Sequence, residues 1–160
     1  MAVPAGRPPL PASDVEGWDL LGRRRMLELT SPGHWTLVLF LTSHCDGCGP
    51  FWRLPLARED CGLDPQVAAV VVARDPRDEE PDALAALTGV EPASASGFLV
   101  MSGTAWRTYR VHGPPFFVLV DGVTVATEGV AWSVEQVVSD VARARRRAAG
   151  DAGGGARVPC

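Results

Sequence analysis

Apolar residues fall into three patterns along the chain, and each predicts a different kind of element. Residues 35–42 read Trp-Thr-Leu-Val-Leu-Phe-Leu-Thr. A nearly continuous apolar run of that length belongs to a strand covered on both faces. Residues 66–73, centred on Val70, Val71 and Val72, repeat the signal, and residues 97–101 give a shorter third strand. Residues 116–120 and 123–127 instead alternate around Asp121 and Gly122, the two-residue signature of a hairpin. Val134, Val137, Val138 and Val141 recur at helical spacing behind Ser133 and Gln136, which are spaced as an N-terminal capping box. Residues 46–58 read as a helix with Pro50 in its first turns and Pro55 kinking or ending it. Shorter helices are predicted at residues 82–88, closed by Gly89, and at residues 103–109. Residues 18–20 and 25–29 predict a lead-in hairpin around Gly22, followed by a turn at Ser31, Pro32 and Gly33. The sum is an α/β fold: a mixed central sheet with parallel middle strands, a closing antiparallel hairpin and helices on both faces.

Length and composition narrow this further. The chain of 160 residues suits one domain with a sizeable core. Pro- and Ala-rich residues 1–14 predict a disordered lead, residues 15–149 the folded domain, and Gly-rich residues 150–160 a flexible tail. A formal charge of −4 argues against nucleic acid as the main partner. All fifteen basic residues are Arg, and Lys, Ile and Asn are absent, which reads as the codon usage of a GC-rich genome. Arg23, Arg24 and Arg25 read as a solvated turn, and the arginines of residues 143–147 as cations suiting a helix C-terminus. No stretch reaches the ~20 apolar residues of a membrane helix, and residues 1–13 lack the apolar core of a signal peptide. A cytoplasmic setting is therefore expected, or an extracytoplasmic one if an anchor precedes the start. Four cysteines, at 45, 48, 61 and 160, are too few for a disulfide-stapled scaffold.

The candidate chemistry sits at the turn after the first central strand, in His44-Cys45-Asp46-Gly47-Cys48. Two cysteines separated by two residues at a strand-to-helix turn can close a disulfide without distorting the backbone. Cys45, at the N-cap, is the expected nucleophile, its thiolate favoured by unpaired N–H groups of the helix start. Cys48, one turn further in, is the expected buried resolving thiol. Asp46 places a negative charge beside the Cys45 thiolate and raises that thiol's pKa, while a protonated His44 acts the other way. A less acidic Cys45 makes a more reducing couple.

The dithiol after a buried strand, together with the late run Gly113-Pro114-Pro115-Phe116-Phe117-Val118, resembles the thioredoxin-like superfamily. The nearest likeness is to bacterial TlpA-type thiol–disulfide oxidoreductases, including the accessory protein of methylamine utilisation, over residues 18–149. The resemblance implies a thioredoxin-like fold, with residues 82–109 matching the αβ insertion of TlpA and peroxiredoxin chains. It implies exchange between the Cys45–Cys48 pair and protein or low-molecular-weight disulfides, fed by an external electron donor, in cell redox homeostasis. No cofactor or metal beyond the redox-active disulfide is implied. Pro115 matches the family's cis-proline, which packs against the dithiol and keeps metal away. The preceding residue, which in the family pairs with the substrate backbone, is here Pro114 and has no N–H. Either proline is a candidate for the cis bond. His44 stands where thioredoxins commonly carry Trp, and Leu39 where they place a buried Asp that moves the resolving thiol's proton. Glu128 is a conceivable substitute for that acid. The site is thus Cys45 and Cys48, shaped by His44, Asp46, Gly47, Pro114 and Pro115.

Three other functions compete. A peroxiredoxin-like peroxidase wants a hydroxyl shortly before its cysteine, and Thr42 lies three residues before Cys45. A metal module would combine Cys45, Cys48, Cys61 and His112, although structural zinc usually wants a second close ligand pair. A binding scaffold could keep the fold and lose turnover. Phe51, Trp52, Trp106 and Phe116 are candidates for an apolar rim, with Trp52 and Phe116 better read as core. Cys61 is expected to be inert at the far end of the dithiol helix, and Cys160 to ride on the tail.

Overall fold

The structure, a computed structural model, describes residues 9–151. Its elements are β1 (Val15–Trp18), β2 (Arg24–Leu27), β3 (Trp35–Phe40), a short 3-10 helix (Asp46–Phe51), β4 (Val67–Ala73), α1 (Pro81–Thr88), α2 (Pro92–Ala95), β5 (Leu99–Met101), α3 (Gly103–Thr108), β6 (Phe116–Val120), β7 (Val125–Val130) and α4 (Val134–Asp151). One seven-stranded sheet has the order β2-β1-β5-β4-β3-β6-β7. β3, β4 and β5 are mutually parallel, while β6 runs antiparallel to β3 and β7 antiparallel to β6.

The continuous apolar run of β3 follows from its place at the centre. Leu37, Leu39 and Leu41 face a core built with Phe51, Trp52, Leu84 and Val137. Val38 and Phe40 face the opposite core, with Trp106, Tyr109 and Val118. Each such side chain contributes roughly 1.5–3 kcal/mol on burial, so a polar residue anywhere between Leu37 and Leu41 would forfeit one core or the other. The 3-10 helix, α1 and α4 cover the first face, and α3 covers the second.

Several boundaries differ from the sequence expectation, each for a local reason. The helix expected over residues 46–58 is a 3-10 helix to Phe51 followed by turns. Pro50 and Pro55 supply no N–H to the i−4 carbonyl, and Gly47 and Gly49 add no helical preference. The first hairpin strand ends at Trp18 because Asp19 organises the turn, its carboxylate accepting from the N–H groups of Leu21 and Arg23, both at 2.9 Å. The late hairpin is wider than two residues: the Asp121 carboxylate accepts from the N–H groups of Val123 and Thr124, so β7 starts at Val125. Residues 11–14 were expected to be disordered and are instead tied down. Pro11 bridges Thr124, Ser13 exchanges hydrogen bonds with the Tyr109 hydroxyl, and the Asp14 carboxylate accepts from the N–H groups of Leu29 and Thr30. Gly150 and Asp151 belong to α4; the rest of the expected tail, Cys160 included, lies outside the described residues, as do residues 1–8. The capping box forms as expected, Ser133 Oγ accepting from the Gln136 N–H at 3.1 Å. Gly89 closes α1 in the left-handed region at φ 76°, its N–H donating to the Ala85 carbonyl.

Candidate active site

The carboxyl ends of β3 and β4 and the start of β6 converge at one edge of the molecule. β3 delivers the loop of residues 41–45, and Cys45 and Cys48 are joined there as a disulfide with Cα atoms 5.5 Å apart. The two sulfurs are not equivalent. Cys45 is partly exposed and packs against the edge of the core, whereas Cys48 is 0% exposed inside it. The difference arises from the 3-10 turn: Cys45 is still extended at φ −128°, and Cys48 lies one turn on, its N–H donating to the Cys45 carbonyl at 3.3 Å. The sequence reading expected the Cys45 sulfur to accept a hydrogen bond from the first helical turn. In the disulfide it makes no cap hydrogen bond.

The peptide bond between Pro114 and Pro115 is cis, so Pro115 is the cis residue. It meets the dithiol turn at Gly47, where an added Cβ would lie 3.5 Å from Pro115 Cδ. That is an ordinary contact, so space alone does not demand glycine at 47. Pro114 presents no N–H toward the site. His44 is exposed and its Nε2 lies 3.0 Å from the Asp78 carbonyl, across the β4–α1 loop. Asp46 is exposed in the first turn of the 3-10 helix.

Other expected residues fall elsewhere. Phe51 and Trp52 are buried on the Cys48 side of the sheet and Trp106 on the other, so three of the four aromatic rim candidates are core. Leu39 packs in the same core as Cys48. Glu128 is exposed and pairs with Val118, whose side chain faces the opposite core, so the sheet separates it from Cys48. Glu128 therefore does not substitute for the missing acid. Thr42 is buried and its hydroxyl accepts from the His44 N–H at 3.4 Å, an engagement with the backbone rather than the sulfur. Cys61 is a free thiol in the turns after the 3-10 helix. Among the described residues no three His, Cys, Asp or Glu side chains gather in a metal-holding arrangement, and no helix is long and apolar enough to cross a membrane.

Two residues that no pattern singled out adjoin the segments that carry Cys45 and Pro115. Glu79, 3% exposed, accepts from the Ser43 N–H at 3.2 Å, the Ser43 hydroxyl at 2.5 Å and the Arg74 N–H at 3.3 Å. It thereby ties the loop leading into Cys45 to the end of β4. In sequence it is one of two adjacent glutamates in a charged loop, and nothing marks which of them turns inward. Trp132 is 81% exposed next to Ala131, whose N–H donates to the Pro115 carbonyl at 2.9 Å. A lone aromatic just before a helix cap carries no exposure signal in sequence.

No family model and no curated protein matches the sequence. Solved structures do match. The thioredoxin domain of a thiol-disulfide oxidoreductase from Bacteroides vulgatus is 19% identical with a TM-score of 0.58, over 81% of this chain and 94% of that one. A secreted Mycobacterium tuberculosis disulfide oxidoreductase, described as homologous to E. coli DsbE, is 20% identical with a TM-score of 0.58, over 80% and 94% of the two chains. StoA from Bacillus subtilis is 17% identical with a TM-score of 0.57, over 82% and 98%. The chain has a thioredoxin-like fold. Within that fold the disulfide occupies the carboxyl end of the central strand, where open α/β sheets place their ligands, and the cis-proline loop closes over it.

Proposed function

We propose that the chain is a thiol–disulfide oxidoreductase that exchanges its Cys45–Cys48 pair with external disulfides and leans toward reduction. The observation that carries this reading is the Cys45–Cys48 disulfide itself, with one sulfur at the surface and its partner buried, beside Pro115. In the reduced protein the Cys45 thiolate attacks one sulfur of a substrate disulfide. The substrate S–S bond breaks, a mixed disulfide forms, and the departing thiolate takes a proton from water. Cys48 then attacks the Cys45 sulfur, releasing the second substrate thiol and leaving the protein oxidised by two electrons. Burial keeps Cys48 from reacting with substrates directly and leaves it poised for the intramolecular step. An external dithiol donor restores the reduced pair.

The fold likeness to thiol–disulfide oxidoreductases supports this reading. The secreted M. tuberculosis protein supports an extracytoplasmic setting over the cytoplasmic one expected from residues 1–13. A reductase lean rests on Asp46 beside Cys45 and on the short 3-10 turn, which aligns few peptide dipoles behind a thiolate. The test is an equilibrium redox titration followed by Trp fluorescence, with Trp52 packed in the same core as Cys48 as reporter. A reversible two-electron transition that Cys45→Ser abolishes, at a potential below about −180 mV, supports the proposal. A higher potential overturns the reductase lean, and no transition overturns exchange altogether.

A further inference from the structure

A cavity of 410 Å³ opens between the end of β4, α3 and the loop that leads to Pro114. Arg74, Arg77, Arg107 and Arg110 line it, although the chain as a whole carries a charge of −4. Asp75 and Asp78 also line it, but Asp75 is engaged by the Gly103 N–H at 2.6 Å and by Arg77 at 3.8 Å. Four guanidinium groups therefore face two carboxylates, one of them already occupied. Arg110 is exposed and makes no ion pair among the described residues, and its backbone is held at φ 57°. Arg74 lies over the Trp106 ring, 4.1 Å from its centroid. Trp106 also lines the cavity. It is 2% exposed, and its Nε1–H has no acceptor among the described residues.

The cavity wall is linked to the two loops that carry the dithiol and Pro115. Asp78, in its wall, offers the carbonyl that meets His44, the residue before Cys45. His112, also in its wall, lies two residues before Pro114. At Pro114 the loop has no N–H with which to pair an extended peptide. Two residues before that proline, a guanidinium-lined cavity of small-molecule size stands open.

We propose that this cavity selects the disulfide the Cys45–Cys48 pair reduces, and that its preferred substrate is a low-molecular-weight disulfide bearing carboxylates. The inference rests on the exchange reading above. The carboxylate lies among Arg74, Arg107 and Arg110 while the substrate S–S bond meets the Cys45 thiolate. Two electrons pass to the substrate, giving two thiols, and the protein closes its disulfide.

The test compares three small disulfides reacting with protein reduced by dithiothreitol and freed of it: dianionic 3,3′-dithiodipropionate, neutral 2-hydroxyethyl disulfide and dicationic cystamine. Each rate, read by Trp fluorescence, is divided by that disulfide's rate with free dithiothreitol under the same conditions. The net charge of the chain alone would favour the dication and repel the dianion. The cavity reverses that order, with the dianion about tenfold ahead of the neutral compound, the worth of one charge-assisted hydrogen bond. In Arg107→Gln/Arg110→Gln the dianion-to-neutral ratio falls toward one, and in the unaltered protein about 0.5 M salt does the same. A dianion no faster than the neutral disulfide, with exchange intact, overturns the cavity assignment and leaves the oxidoreductase reading standing. Failure of all three disulfides to oxidise the pair overturns both.

Discussion

Glu79→Gln isolates the tie between the dithiol loop and the rest of the sheet. The substitution keeps size and shape, so no cavity opens. What changes is acceptor capacity. Glu79 uses one carboxylate oxygen for the Ser43 N–H and hydroxyl and the other for the Arg74 N–H. Glutamine has a single oxygen. If it faces Ser43, its NH2 group opposes the Arg74 N–H; if it faces Arg74, the clash moves to Ser43. Either way at least one half-buried N–H loses its acceptor, at a cost of about 1–3 kcal/mol. For a chain of this size that lowers Tm by about 2–12 °C. Glu79→Ala frees all three donors and costs more. Ser43→Ala removes only the hydroxyl donor and costs less. Thermal unfolding of the three variants, with the disulfide intact, should rank Glu79→Ala as the most destabilised, Glu79→Gln next and Ser43→Ala least. Adding Ser43→Ala to Glu79→Gln should cost less than the sum of the two, with a coupling of about 0.5–3 kcal/mol. A Glu79→Gln variant that melts within about 1 °C of the parent, or additive costs in the double variant, would refute the tie.

Acid sensitivity should trace to Asp19 and Asp64. Burial pushes the Asp19 carboxyl up, but the N–H groups of Arg23 and Leu21 and the Arg23 guanidinium together hold it below the ordinary aspartate value. Asp64 is lowered chiefly by the Gln66 N–H; burial works against this, and the Arg145 guanidinium lowers it further. Between the folded and unfolded pKa values the unfolded chain binds more protons, so this stability is present above about pH 4 and is lost as pH falls below it. Urea midpoints should be level from neutral pH down to about pH 5 and then fall, and Asp19→Asn should flatten the fall; an unchanged slope would count against Asp19. Gly89→Ala should cost about 1–2 kcal/mol for the left-handed backbone alone. Its Cβ would also strike the Arg53 guanidinium, which donates to the Thr88 carbonyl, so Gly89→Asn should not recover all of the loss in chemical denaturation. Ser133→Ala removes the α4 cap acceptor and should cost about 1 kcal/mol, with no change if Gln136 alone secures the helix start.

What the sequence disclosed was what two buried faces impose on composition. β3 and β4 announce themselves because every side chain from Leu37 to Leu41 meets one core or the other, and α4 because its valines share one stripe behind a capping box. The site cysteines were legible from spacing. Features that depend on one side chain reaching backbone elsewhere were not. Asp19 moves a hairpin turn, Asp121 widens another, and Glu79 anchors the dithiol loop, yet all three belong to charged or turn-like stretches whose ordinary fate is solvent. The arginine cavity was equally hidden, since residues 74–77 and 107–110 lie some thirty positions apart and meet only because α3 packs back beside β4.

Three departures from the pattern the sequence resembles lie around the sulfurs. Leu39 puts hydrocarbon where the resemblance implies an acid, and it shares a core with Cys48. The 3-10 turn places fewer aligned peptides behind Cys45 than the expected helix would. Pro114 withholds a donor from the substrate side. The short turn removes part of what would stabilise a Cys45 thiolate, Pro114 removes a donor that would hold a peptide, and Leu39 leaves no proton carrier on the Cys48 side. A less stabilised Cys45 thiolate favours the disulfide over the dithiol and so a more reducing couple. The cost falls on substrate capture, because less of the substrate is held at the sulfurs themselves. On the proposed reading the guanidinium cavity answers that cost from a distance: it holds the charged end of a small substrate and leaves the sulfur chemistry in an apolar setting. The two demands, a reducing pair and a bound substrate, are then met by different parts of the same strand ends, with His44 and Asp78 as the join between them.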